Sequence, residues 1–291
     1  MVKVLIPSGA LGLGYDRAAL ARGIAQKPDI IAIDGGSTDS GPHYLGTGTS
    51  KYSRNSTKAE WRELMAARAE AGVPLVIGTA GTCGADDAVD WLVEITREIA
   101  AETGESLRLA VLKSRQDNQT MVAALRAGRI TPLPAAPEIS DTLLLECTNI
   151  VALAGAEQIQ EALNTGADII IAGRTTDTAI ISALPLARGC HAGGCWHGAK
   201  IGECGALATT SPNSGTIMIA FDAEGFTMTP MGAEARATPR TVSAHMLYEN
   251  SDPHILYEPG GHLDVRGATY TALNDREVRV TGSEWIVSDR Y

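Results

Sequence analysis

Ile30-Ile31-Ala32-Ile33-Asp34-Gly35-Gly36 is the stretch on which the fold turns. Four consecutive apolar residues without polar alternation suit a strand covered on both faces, and the Asp-Gly-Gly that follows ends it in a turn where backbone can approach a ligand closely. The pattern recurs outward in both directions. Val2–Ile6, Leu75–Gly78, Leu107–Leu112, Leu143–Cys147 and Asp168–Ala172 read as further buried strands, giving six predicted parallel strands. Between them Asp16–Gln26, Lys58–Ala71, Asp86–Thr103, Gln119–Arg126 and Ala156–Asn164 place apolar residues at helical spacing. In the third of these, Val89, Leu92, Val93, Ile95 and Ile99 form one stripe, and Asp86, Asp87 and Asp90 sit where the positive end of the helix dipole favours carboxylates.

Strands alternating with helices predict right-handed crossovers and an α/β fold, a doubly wound and mostly parallel sheet, with Ala135–Asp141 as a proline-bearing break. After about Ala187 the pattern changes. Gly189–Gly205 is glycine-rich, Thr216–Phe221 and Val278–Val280 read as strands, and Thr241–Asn250 as a short helix. The expectation is an open-sheet domain over 1–187 carrying the main ligand crevice, and a smaller α+β portion over 188–291 lending loops to it.

Composition narrows the function. The 291 residues carry 44% hydrophobic and 20% charged side chains, an ordinary globular balance, and 34 acidic against 24 basic residues leave a net charge of −10. That charge disfavours nucleic acid and anionic lipid as partners. No apolar run approaches the roughly 18 residues of a membrane span, and the amino terminus runs straight into a strand, so a cytoplasmic protein is expected. Five cysteines, Cys83, Cys147, Cys190, Cys195 and Cys204, form an odd set that reads as reduced thiols.

In an open parallel sheet, ligands bind beyond the carboxyl ends of the strands. The turn after the first strand is Pro7-Ser8-Gly9-Ala10-Leu11-Gly12-Leu13-Gly14; the one after the second runs from Asp34 to Gly48 and is too long for an idle connection. Here Gly35, Gly36, Ser37, Thr38 and Ser40 offer backbone and hydroxyl donors to an anionic group, while Asp34 and Asp39 offer oxygens for proton transfer. Gly81 and Thr82 follow the third strand, and Cys83 lies near a helix start, where it is either a nucleophile or a small packing residue. Arg174, Thr175 and Asp177 follow the last strand of the series. The Arg174 guanidinium suits a carboxylate or phosphate, whereas Thr176 and Asp177 also suit a helix cap. Lys113 and Arg115 are either crevice cations or surface charges, and Glu146 is a carboxyl to watch if it is buried.

Cys190-His191-Ala192-Gly193-Gly194-Cys195-Trp196-His197 invites a zinc reading, but it lacks the paired two-residue gaps of a zinc knuckle, and no metal is expected. Trp196, His197, Lys200, Glu203 and Cys204 can instead line a wall of the site. Tyr248–His254 and Tyr257–Asp264 concentrate titratable residues around prolines and glycines, as acid–base loops or as solvated turns.

Asp34–Pro42, Ala172-Gly173-Arg174, Gly202-Glu203-Cys204-Gly205-Ala206, Tyr248–Pro253 and Glu258-Pro259-Gly260-Gly261 together resemble, in the same order, the acyclic terpene utilisation (AtuA-like) family. The resemblance implies a bacterial catabolic protein, associated by name with branched isoprenoid acids handled as CoA thioesters. It also implies that a carboxyl-terminal portion is absent here, and it leaves Cys190 and Cys195 outside the family pattern.

Three functions follow as expectations. The first is a lyase or hydratase acting on a small branched carboxylate or its CoA ester, with Arg174 and the glycine-loop amides holding the anion, Asp34 or Asp39 moving a proton, and His197 or Glu203 as its partner. The second is a non-catalytic ligand-binding or scaffolding subunit. The third is a metal-dependent hydrolase using Asp34, Asp39 and Asp177. No cofactor is required by the residues, although the CoA moiety of a substrate fits. The expected assembly is a homo-oligomer, or a partner subunit supplying the missing carboxyl-terminal part.

Overall fold

The computed structural model describes residues 1–36, 42–133, 136–212 and 215–288. Five parallel strands form its centre: β1 (Val2–Ile6), β2 (Ile30–Asp34), β3 (Leu75–Gly78), β4 (Leu109–Leu112) and β5 (Ile169–Ala172). Four more strands extend the same sheet beyond β1, namely β6 (Ile217–Phe221), β7 (Gly225–Pro230), β10 (Thr269–Ala272) and β11 (Val278–Thr281). The order is β10-β11-β7-β6-β1-β2-β3-β5-β4.

The sheet is therefore mixed, and the expected six-stranded, mostly parallel arrangement is corrected. β6 runs antiparallel to β1 and to β7. The cause is local. Asp222 accepts from the amides of Glu224 and Gly225 and closes a tight turn between β6 and β7, and a link that short joins only antiparallel neighbours. The strands after residue 188 thus continue the sheet begun by the first half. A separate three-stranded sheet, ordered β12-β9-β8, comprises β8 (Ile255–Glu258), β9 (Gly261–Asp264) and β12 (Glu284–Val287).

Strand burial explains the continuous apolar runs. Ile31, Ile33, Ile77, Ile169 and Ile171 face α1 (Arg17–Ala25), α3 (Arg54–Ala71) and α4 (Asp86–Thr103). Ile30, Ala32, Val76, Ile170 and Ala172 face the opposite layer, which includes α7 (Ala156–Asn164), α8 (Asp177–Ala187), α9 (Ala192–Gly202) and α10 (Pro239–Ala244). Successive residues point to opposite faces, so a strand covered on both sides has no polar register. The remaining helices are α2 (His43–Thr47), α5 (Asn118–Arg126) and α6 (Asp141–Glu146). No helix among the described residues is long and apolar enough to cross a membrane.

Leu143–Cys147, expected as a strand, belongs largely to α6. Ser140 accepts from the Leu143 amide, Asp141 occupies the first turn, and leucine favours helix over strand, so local capping prevails. Leu143 and Leu145 remain 44% and 46% exposed, far from the burial a central strand demands. Glu146 is exposed as well.

Most of the glycine-rich segment after 189 is the buried helix α9. Its glycines serve close packing. A Cβ on Gly193 would lie 2.2 Å from the Ser283 carbonyl oxygen, one on Gly194 2.6 Å from the Gly225 Cα, and one on Gly198 2.4 Å from the Phe221 ring. Gly193→Ala gains about 1 kcal/mol of helix propensity but must displace backbone, at a cost of roughly 1–3 kcal/mol. A lowered urea midpoint is expected, and an unchanged or raised midpoint would contradict the close approach.

Candidate active site at the carboxyl ends of the parallel strands

The turns that leave the parallel strands are sewn into one rim. The Leu11 amide donates to the Asp34 carbonyl (2.8 Å), Gly35 to Gly78 (2.7 Å), Thr82 to Gly35 (2.9 Å), Thr79 to Gly173 (2.8 Å) and Gly173 to Leu112 (2.9 Å). Glycine is required where these turns cross. A Cβ on Gly36 would sit 2.0 Å from the Thr82 carbonyl oxygen, and one on Gly84, whose φ is +66°, 2.5 Å from the Arg174 nitrogen.

Backbone strain gathers at the same rim. Thr79, Thr82, Cys204 and Glu249 all hold positive φ, at 46°, 76°, 48° and 49°. For a β-branched threonine this conformation is a steric outlier, and such strain persists where the surroundings over-determine it, commonly at functional sites.

The rim encloses carboxyls that outnumber their cations. Asp34 ends β2, is 8% exposed and accepts from the Gly35 amide at 2.8 Å. Burial drives its pKa well above the ordinary carboxylate range and the charge of Asp177 drives it further, against the Gly36 and Gly35 amides and Arg174. Asp177 opens α8. Burial raises it to about 6, with Arg174 and Lys200 opposing and Glu249 and Glu258 adding to the rise. Glu258, at the end of β8, is raised by burial to about 7. Like charges in a desolvated space cannot all ionise, so this crevice holds protons near neutral pH.

Lys200, only 2% exposed, reaches both oxygens of Glu203 at 3.2 and 3.3 Å and lies over the Tyr248 ring. His245 donates from Nε2 to the Glu203 carbonyl at 2.8 Å and stacks on Tyr248. Burial lowers His245 to about 4, so it stays neutral. Cys204 packs against Gly9, and its thiol is hydrogen-bonded to Tyr248. Burial pushes that thiol up to about 11.

Of the residues singled out in the sequence, Asp34, Gly35, Gly36, Arg174, Asp177 and Glu203 meet at this crevice through the contacts and charge interactions above. Ser37, Thr38, Asp39 and Ser40 lie outside the described residues. The Thr82 hydroxyl accepts from the Lys51 amide at 3.0 Å, and Gly81, at φ +65°, packs on Ala88. Thr175 is buried against Gly78 and Thr79 rather than open to a ligand.

One proposed catalytic side chain lies elsewhere, and a second is packed away at the rim itself. His197 is fully buried; its Nδ1 pairs with the Ser283 hydroxyl at 2.7 Å and its Nε2 with the Tyr270 hydroxyl at 3.1 Å. Burial lowers it to about 3, and with both nitrogens engaged it is a satisfied core histidine. Cys83 does stand at the start of α4, where the Ala85 amide donates to it, yet it is packed among Ala85, Ala88, Tyr44 and Leu45. Burial outweighs the helix start and raises its pKa, which keeps it a thiol. Lys113 is drawn away to Asp90 and the Asp86 carbonyl. Sequence reasoning missed His245 and Thr178, for which no motif gives a signal.

Among the described residues no group of three or more His, Cys, Asp or Glu side chains is arranged to hold a metal ion. Fold and crevice together define an α/β protein with a buried, proton-holding carboxyl cluster at its strand ends. A family model described as acyclic terpene utilisation family protein AtuA matches residues 42–210, more than half of the chain, and the chain belongs to that family. The matched span includes Arg174, Asp177, Lys200, Glu203 and Cys204, while Asp34, Tyr248, Glu249 and Glu258 lie outside it. Neither a curated protein nor a solved structure matches the chain.

Proposed function

We propose that this protein is an acid–base enzyme of acyclic terpene utilisation, acting on a small branched carboxylate or its CoA thioester in a lyase or hydratase reaction. Membership of the AtuA family supports the pathway. The observation that carries the chemistry is that the buried Asp34 and the half-buried Asp177 both have raised pKa values and both feel the charge of Arg174. Two carboxyls in one desolvated site resist simultaneous ionisation, so one serves as a neutral acid while the other accepts a proton. Hydration or dehydration beside a carbonyl needs that division: one group removes the proton α to the carbonyl, another protonates the leaving hydroxyl or the developing enolate oxygen. Arg174 holds the anionic group of the substrate by its fork.

Thermal shift across a panel of branched carboxylates and their CoA esters tests this reading. A ligand held by the native state at about 100 times its Kd adds about 2.7 kcal/mol, several degrees for a chain of this size, and the shift should vanish in Arg174→Ala. Equal shifts in both proteins would contradict it.

A ligand-binding or scaffolding subunit is the second reading. It is favoured by the outer face of the small sheet, where Tyr257, His262 and Ile286 lie in register and Tyr257 is largely exposed.

A further inference from the structure

The two ends of the nine-stranded sheet differ in kind. β10 closes one end with Thr269-Tyr270-Thr271-Ala272, a mostly polar edge. β4 closes the other with Leu109-Ala110-Val111-Leu112, an unbroken apolar run in which no residue is buried and Val111 is 40% exposed. Its neighbour β5, equally apolar, is buried throughout. An edge strand presents a row of backbone donors and acceptors, and proteins that leave one open guard it with charge, proline or a covering element. Neither charge flanking β4 serves as such a guard. Arg108 turns back toward Asp168 and Gly166, and Lys113 toward Asp90 and the Asp86 carbonyl.

The hydrogen bonds of β5 show which groups of β4 face outward. The Arg108 and Leu112 carbonyls accept from the Ile169 and Gly173 amides. Backbone direction alternates along a strand, so the amides and carbonyls of Leu109 and Val111 point away from β5. Beside them runs α4. The Ser114 amide donates to Asp86 at 3.1 Å, which sets the amino end of α4 level with the carboxyl end of β4. From there the helix retreats by about 1.5 Å per residue and the strand by about 3.3 Å, so Val111 lies level with the helix between Asp90 and Arg97. Asp90, Glu94, Arg97 and Ala101 form one exposed stripe of α4 at helical spacing. Arg97, Ala100, Ala101, Leu107 and Leu109 line a groove of about 470 Å³ between that helix and the strand. The open edge is thus flanked by acids on one side of Val111 and by Arg97 on the other.

We propose that β4 is the interface for a second copy of this chain, the two strands pairing antiparallel about a twofold axis near Val111 and joining their sheets. Such an axis sets Val111 opposite itself, where the two residues exchange both backbone hydrogen bonds. It also reverses the direction of α4 in the second copy, so that Asp90 and Glu94 of one stripe face Arg97 of the other. The charge pattern is self-complementary in this orientation, which is the reason to assign the edge to a second copy. Because β4 spans only four residues, the ladder supplies few hydrogen bonds, and cover for Leu107, Leu109 and Val111 together with the charge pairs supplies the rest.

Sedimentation equilibrium of the whole chain from about 0.1 to 100 µM tests the assignment and needs no substrate. Wild type should sediment as two chains of 30.5 kDa. Val111→Pro removes an amide that β5 does not use, so the chain keeps its own ladder while the dimer dissociation constant rises by roughly 100-fold. Glu94→Arg and Arg97→Glu each bring like charges together twice per dimer, and each should weaken it roughly tenfold. Glu94→Arg combined with Arg97→Glu exchanges the two signs and should return the dissociation constant to within about threefold of wild type. A wild-type chain that stays monomeric over the whole range overturns the proposal, as does a dimer that none of these variants weakens. A combined variant no tighter than the single ones overturns the antiparallel arrangement. The charge variants lie on an exposed helix face, so they decide the matter even where the proline variant fails to fold.

Discussion

Asp34→Asn lowers turnover by about 10²–10⁴-fold, the usual contribution of a positioned acid or base, while the chain folds normally. Asparagine reproduces the shape of the carboxyl and can still accept the Gly35 amide, so the rim hydrogen bonds survive. What it removes is the exchangeable proton and the like charge against Asp177. Stability should move the other way. An Asp34 raised above the ordinary aspartate value confers stability below that value and loses it as pH rises through its folded pKa. The variant escapes this loss, so at pH 8 it should melt at the same temperature as wild type or higher. Full turnover with unchanged melting would remove Asp34 from the mechanism.

Arg174→Ala should reduce kcat/KM by roughly 10²–10³-fold, the scale expected when one partner of a desolvated charge contact is deleted. Two effects combine. The substrate anion loses its forked partner, and both Asp34 and Asp177 lose a cation that opposes their protonation. The second effect is diagnostic, because the pH profile of the residual activity should shift upward by about one unit as the carboxyls hold their protons longer. Arg174→Lys retains the charge without the fork, so it should recover the pH profile before it recovers affinity. A profile that stays in place in Arg174→Ala would separate the guanidinium from the carboxyl pair.

Much of the frame was legible because burial on two faces leaves a plain mark. Ile30–Asp34 and Asp168–Ala172 read as strands because each holds an unbroken apolar run, Ile30–Ile33 and Ile169–Ala172, and the observed β2 and β5 begin within one residue of those limits. Leu143–Cys147 carried the same composition without the same burial; Ser140 and Asp141 decide its conformation through a cap, which a run of leucines does not announce. α9 was hidden for the opposite reason. Its glycines resemble a loop, and only the backbone of Ser283 and Gly225, remote in sequence, explains why alanine is kept out.

The site divides along similar lines. Asp34, Arg174 and Asp177 were legible because topology alone takes residues at the carboxyl ends of parallel strands to one rim. His197 was misleading: titratable types suggest chemistry, and only the hydroxyls of Ser283 and Tyr270 reveal a satisfied core residue. Glu258 and His245 come from outside the parallel part of the sheet, and their approach depends on how the second half of the chain folds back, which no local pattern encodes.

Carbon-13 NMR titration of the aspartate and glutamate carboxyl carbons tests the central claim most directly, since it counts the protons this crevice holds. The account predicts carboxyl resonances that remain protonated well above the ordinary range, with one near pH 6 lost in Asp177→Asn, one near pH 7 lost in Glu258→Gln, and a further raised one lost in Asp34→Asn. A spectrum in which all carboxyls have ionised by about pH 5 would contradict it.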